Sequence, residues 1–411
     1  MNLRKLAFLY LATFAWSALR IGPATLFDSL SIVLFPVMGY SYLQYLHQGG
    51  TRGNRMPVVA IVSSLLMMMA TLLSSLVATD LESNLFKGFF VGITLALTAL
   101  NIYFIFAGRI IAPKLAFEAL VLSATLHSLC VIAQGQFGLF LQLSSQEWQG
   151  WSRATGLAEH PIEAGMSTAV GILCAVHLLF DNPGTARRFL LLVAATAICL
   201  ISLTYSASLT AGFGLLTALL IQALVARRAH WLFGVVPALL LVLSVVLPYI
   251  SDSQLGNRLS TLAQTGGNYG TVQSRSKQIV LAISKIDAPS ALIGKSFDMQ
   301  TTPMGMEIHN GFVAALYYFG LLGFISQLML IVFSIRRATH QRWLALKGTF
   351  FGILIVFATG YLTGPGLSRR SVWVPILLVA AMPVVTPPLR LPQRRGRGRG
   401  FGNAAEIQVE G

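Results

Sequence analysis

Residues 88 to 107, GFFVGITLALTALNIYFIFA, run for twenty positions without a charge between Lys87 and Arg109. At about 1.5 Å of rise per residue a helix of that length crosses a hydrocarbon layer about 30 Å thick. Backbone groups in lipid are satisfied only inside a helix or in a closed barrel. The stretch lacks the period-2 alternation of a barrel strand, so it is expected to be a helix. Similar stretches recur, and spans are expected at about 6–22, 26–46, 57–78, 88–107, 115–135, 160–180, 189–205, 207–226, 231–250, 310–334, 348–363 and 371–387. The expected fold class is therefore all-α: a polytopic membrane helical bundle of about 12 transmembrane helices, with a long periplasmic loop containing a short amphipathic helix.

Composition agrees, because 55% of the residues are hydrophobic and 10% charged, against about 25% charged in a soluble domain. The basic start, Met1 to Lys5, is read as leading into the first span rather than as a signal peptide, since no small-residue cleavage site follows it. Cys130, Cys174 and Cys199 all fall in apolar stretches without metal-ligand spacing, so neither a disulfide framework nor a metal site is expected. In a soluble protein the net charge of +15 would suggest nucleic acid. Here it is distributed by side instead, and no nucleic-acid partner is expected.

With the N-terminus inside, the cytoplasmic segments hold Arg4 and Lys5, Arg52 and Arg55, Arg109 and Lys114, Arg187 and Arg188, Arg227 and Arg228, and Arg336 to Lys347. That pattern satisfies the positive-inside rule and puts both termini in the cytoplasm. Four segments result: helices 1 to 9 over 1–250 with an outer loop near 136–159, a long outer loop over 251–309, helices 10 to 12 over 310–387, and a basic tail over 388–411. The tail, with its RRGRGRG run, reads as a polybasic segment beside anionic lipid. Glu118 lies close enough to the cytoplasmic end to snorkel beside Lys114.

The outer loops carry the candidate chemistry. The far side of a membrane offers no ATP, so a catalyst there needs an activated donor, and a lipid-linked diphosphate calls for guanidinium and ammonium groups. The long loop supplies Arg258, Arg275, Lys277, Lys285 and Lys295 against the positive-inside bias, the last two reading as ordinary solvated lysines. Over 275–286, RSKQIVLAISKI, the spacing of Ile279, Ile283 and Ile286 predicts an amphipathic helix on the membrane surface, with Arg275 and Lys277 at its start. The stretch before it, QTGGNYGTVQS, is expected to be mobile. At the loop's end His309 can hold or accept the proton of a hydroxyl. Asn310 orients the ring or the acceptor, or the pair caps a helix. Glu307 is an alternative proton acceptor, or a surface charge. In the earlier loop, Pro161 and Glu163 suit a first helical turn, and His160 is either a partner or a cap. Arg153 has no such structural task in view and is the expected phosphate ligand.

Taken together, Arg153, Gly156, His160 and Pro161, then SR at 274–275, IGKSF at 293–297 and HNGFVAALYYFGLLGF from His309 resemble the O-antigen ligase and polysaccharide polymerase superfamily. The resemblance covers topology over nearly the whole chain and motif detail near 150–165 and 274–323. It implies a metal-independent, inverting glycosyltransferase in the bacterial inner membrane that moves glycan from an undecaprenyl-diphosphate carrier to an acceptor sugar at the periplasmic face, without a cofactor. Its partners would be the polyprenyl-diphosphate-linked saccharide donor, a glycan or lipid acceptor, and membrane lipids. His309 and Arg275 would be catalytic, and Arg153, Lys277, Asn310, Glu307, His160 and Arg258 would bind substrate. Two positions depart from the pattern. Ile162 stands where an Asn often follows HP, and 204–212, TYSASLTAG, lacks the arginine of an SRG-like element, so either Arg369 or Arg370 substitutes or the site is weaker than the family norm. The alternatives are a transporter or lipid-linked glycan flippase, or a non-catalytic export scaffold.

Overall fold

A computed structural model describes residues 2–21, 24–50, 55–139, 153–181, 184–227, 260–261, 264, 270–297, 302–303, 307–364 and 370–385. In chain order the helices are α1 (Leu3–Ala12), α2 (Leu26–His47), α3 (Met56–Ser74), α4 (Leu81–Ala107), α5 (Pro113–Phe137), α6 (Pro161–Asp181), α7 (Ala186–Ser206), α8 (Leu209–Val225), α9 (Gly270–Ser284), α10 (Ala288–Ile293), α11 (Gly311–His340), α12 (Leu344–Thr363) and α13 (Arg370–Ala381). Among the described residues the strand content is one short antiparallel pairing, β1 (Arg20–Ile21) with β2 (Ala24–Thr25). Among the described residues eight helices are long and apolar enough to cross a membrane, while α8 and the apolar part of α13 are shorter. The protein is thus a multi-pass helical membrane protein.

The starts of these helices follow from local chemistry. Thr25, Asp80, Thr185, Ser208 and Asn310 each accept a hydrogen bond from the backbone N–H three residues on, a cap that contributes about 1 kcal/mol. Pro113 and Pro161 open α5 and α6, where a missing N–H is harmless. The first expected span is corrected. Helix α1 has 10 residues, about 15 Å of helix, and ends where the Thr13 hydroxyl donates to the Tyr10 carbonyl at 2.8 Å in competition with the backbone. The chain then turns into the β pairing. The ninth expected span, 231–250, and the tail lie outside the described residues.

Helix α6 is the centre of the bundle: 94% of its membrane-length window is buried, against 28% for α7. Its glycines make that possible, since a Cβ at Gly165 would press on Ser208 and Ala211 of α8, and one at Gly171 on Ala124 of α5. Small residues allow such close helix packing where lipid supplies no hydrophobic drive. Polar side chains add to it. Ser63 of α3 donates to the Ser326 carbonyl of α11 at 2.6 Å, and Ser326 returns a bond to the Ser63 carbonyl at 2.7 Å, each worth about 0.6 kcal/mol. Leu65, Leu190, Leu191, Phe213 and Leu216 are exposed, as side chains facing lipid should be. Glu118 pairs with Arg188, which enters the same end of the bundle from the neighbouring helix α7.

Helix α11 is broken. Gly320 has φ +61° and ψ −161°, a combination open to glycine alone, about 13 Å along from the helix start. The segment after α10 fills the break: the N–H groups of Lys295 and Ser296 donate to the carbonyls of Tyr317 and Tyr318 at 2.7 and 3.1 Å. Gly294, at φ +83°, lies against the Tyr318 carbonyl, and Gly320 against the Leu292 carbonyl, so a Cβ at either would overlap backbone. Phe297 completes the joint, 4.7 Å from the Tyr318 ring between centroids, while its N–H donates to Asn84 Oδ1 of α4 at 2.6 Å. IGKSF and the FGLLG stretch are therefore two halves of one contact.

Candidate functional site

One end of the bundle gathers both segments that were expected to be outer loops. Asn84 of α4 donates to Ser74 at the end of α3 at 3.1 Å. Thr363 at the end of α12 donates to Thr210 at the start of α8 at 3.1 Å, and Asn310 Nδ2 donates to the Leu362 carbonyl at 3.3 Å. The starts of α4, α8 and α11 thus share an end with the last turns of α3 and α12.

The segment 153–160 is set into this end, with Thr155 and Ala158 fully buried. Buried irregular backbone needs partners, and α5 provides them. Gln134 Oε1 accepts from the N–H groups of Thr155 and Gly156 at 2.9 and 2.7 Å, and its Nε2 donates to the Gly156 carbonyl at 3.1 Å. One face of α5 down, His127 Nδ1 accepts from the Leu157 N–H at 3.1 Å. Gly156 has φ +60°, and a Cβ there would lie 2.9 Å from both the ring and the carbonyl of His127, so glycine is required. From the other side Ala18 donates to the Leu157 carbonyl at 2.8 Å, and Arg20 pairs with Glu159. The β pairing thus straps the segment in place.

Arg153 does have a structural task. Its Nε donates to the Ser206 carbonyl at 3.2 Å and a terminal nitrogen to the Ala207 carbonyl at 3.3 Å. A cation there complements the negative end of the α7 dipole, next to Ala207, a non-glycine residue at φ +47°. The 204–212 stretch, without an arginine of its own, is met by the guanidinium of Arg153. Arg258 and Arg369 lie outside the described residues, as does the Arg370 side chain.

His160 and His309 come together although 149 positions separate them in sequence: their ring centroids are 6.2 Å apart with planes at 59°. His160 is buried, and its Nδ1 accepts from the Ile162 N–H at 3.1 Å, which is capping. Asn310 also caps, accepting from the Val313 N–H at 3.0 Å. His309 is half-buried and held by Gln278 of α9, whose Oε1 accepts from the His309 N–H at 3.2 Å and lies 3.4 Å from its Nδ1. Gln278 Nε2 donates to the Glu307 carbonyl at 3.0 Å. Glu307 and Arg275 are half-buried and Lys277 is exposed. Beside His309, Gly311 packs on the ring of Tyr361, which also stacks against Phe357 at 5.1 Å.

Helix α9 begins at Gly270, so the last part of the stretch expected to be mobile is helical. The side it turns to the protein is partly polar, and part of the apolar stripe expected to meet the membrane surface is exposed. Gln278 and Ala282 are buried, Ile279 and Ile286 half-buried, and Ile283 exposed with Val280 and Leu281. Gln278 is the site residue that sequence reasoning missed, and its spacing of four from Ala282 was the available signal. Lys87 was missed too; its Nζ lies 5.2 Å from the centroid of the Phe297 ring, on the same end as IGKSF. Asp287 opens α10 with a capping box closed by Ser290. The hydrogen bonds from Ser290 hold its carboxyl below the usual range, helped by Lys295 at 3.7 Å. Among the described residues no three His, Cys, Asp or Glu side chains stand together as metal ligands. Set against known proteins, the sequence matches no family model, and no curated protein is significantly similar to it.

Proposed function

We propose that the protein is a glycosyltransferase of the bacterial inner membrane that moves glycan from a polyprenyl-diphosphate carrier to an acceptor sugar hydroxyl at the periplasmic face. The observation that carries this function is the meeting of the two outer segments, with the His309 ring 6.2 Å from His160 and anchored by α9, the helix that bears Arg275 and Lys277. An acceptor hydroxyl loses its proton to the imidazole as it attacks the anomeric carbon from the face opposite the carrier. The bond to the diphosphate oxygen breaks, and the charge left on that oxygen is stabilised by guanidinium and ammonium groups. Arg275 serves in that role, assisted by Lys277 and by Arg153 where it meets Ser206 and Ala207. Attack from the opposite face inverts the anomeric configuration. Both termini are cytoplasmic in this arrangement, and the product is an O-chain or exopolysaccharide.

Purified protein given a lipid-linked oligosaccharide and a panel of glycan and lipid acceptors should release carrier diphosphate in step with glycan growth or transfer. Carrier that stays fully loaded with every acceptor would reject the proposal. A second function, movement of the lipid-linked glycan across the bilayer, is favoured by the broken α11, since transporters build their sites from discontinuous helices. It is disfavoured because the carbonyls of Tyr317 and Tyr318 at the break already accept from Lys295 and Ser296. Counterflow of labelled carrier in vesicles, without transfer, separates the two.

A further inference from the structure

A histidine acts as a base through whichever ring nitrogen lacks the proton, and the group that engages the other nitrogen decides which that is. At His309 that group is Gln278. A side-chain amide can be turned either way, but here two backbone groups fix it: Oε1 must face a donor, the His309 N–H at 3.2 Å, and Nε2 an acceptor, the Glu307 carbonyl at 3.0 Å. Oε1 only accepts. The His309 Nδ1 that stands 3.4 Å from it must then carry the hydrogen. We infer that Gln278 is a positioning residue that holds His309 as the Nδ1–H tautomer, with the lone pair on Nε2 for the acceptor hydroxyl. Only the last clause rests on the proposed glycosyl transfer; the tautomer itself stands or falls without turnover.

The amide differs from a carboxylate in one consequential way. A carboxylate in this position would also stabilise the imidazolium, whereas a neutral amide orients the ring and leaves it neutral more readily. Among the described residues, His160 at the start of α6 faces the ring, Glu307 lies two positions upstream, and Arg275 and Lys277 stand three and one positions before Gln278 on α9, with the Tyr361 ring of α12 against Gly311.

Nitrogen-15 NMR of histidine-labelled protein in nanodiscs tests this, with His309→Ala identifying the signals of the ring. In the wild-type protein, above the pH at which the ring titrates, Nδ1 should be the protonated nitrogen. Gln278→Ala should shift the ring towards the Nε2–H form and lower kcat about tenfold to a hundredfold with little change in KM. Gln278→Glu keeps the shape and the acceptor, so Nδ1–H should persist while the titration of the ring moves to higher pH by about one unit. A purely structural glutamine would leave the ring of the Gln278→Ala protein in the Nδ1–H form. An Nε2–H ring in the wild type, or a tautomer and titration indifferent to both substitutions, overturns the inference. A wild-type protein with the expected tautomer but no transfer would reject the transferase function while leaving the role of Gln278 standing.

Discussion

The bonds from Arg153 to the carbonyls of Ser206 and Ala207 mean that its removal affects the fold ahead of any effect on substrate. Arg153→Ala should lower stability by about 1 kcal/mol through loss of the cation at the α7 C-terminus, seen as a lower Tm in detergent. Ala207→Gly should raise stability by about 1 kcal/mol, because a left-handed φ of +47° suits glycine and strains alanine. An unchanged or lower Tm for Ala207→Gly would mean that the cap is not formed. The Asp287 cap gives a pH dependence. Its folded carboxyl is held low by Ser290, so its contribution is complete above the ordinary aspartate range and is lost as pH falls through the depressed value. Amide exchange in α10 should accelerate there on acidification, and Asp287→Asn should flatten the response. At this scale the capping alternatives for His160 and Asn310 were legible in the sequence because a cap is decided within three residues. The partner of Arg153 is 53 positions away and was not.

At the scale of elements, the joint between α10 and the break in α11 accounts for two motifs that the sequence separates by a 21-residue run. Gly294→Ala and Gly320→Ala should each destabilise by about 1–3 kcal/mol, since both place a Cβ into backbone at positive φ. The double variant should cost less than the sum, because the two glycines share one contact. Thermal unfolding of the three variants measures this, and full additivity would contradict a shared joint. The span 88–107 is contained in α4 because an uninterrupted apolar run has one solution in lipid. The first span was misread because a serine- and threonine-containing run offers its carbonyls side-chain donors that end the helix early. The side that α9 turns to the protein was not legible for a different reason: it is selected by the hydrogen bonds of Gln278 and not by apolar character.

For the molecule as a whole, the shared end of α4, α6, α8 and α11 is assigned to the periplasm by the proposed function. Ser284, the last residue of α9, and Thr339, in the last turn of α11, are both exposed. With Ser284→Cys, an impermeant thiol reagent should label intact cells. With Thr339→Cys, labelling should require permeabilisation, and the reverse pattern would invert the topology. The multi-pass helical architecture was legible from composition and span length; the convergence of 153–160 with 275–309 was legible only through the family resemblance, because it depends on α5 and the β pairing pressing the earlier segment into the bundle. That convergence matters to function only if His309 and Arg275 work on one substrate. The most direct test is the rate of glycan transfer from a lipid-linked donor by purified wild-type protein, His309→Ala and Arg275→Ala, each checked for an unchanged Tm. Both variants should lose about a hundredfold or more in kcat, whereas full activity in both would contradict the assigned site.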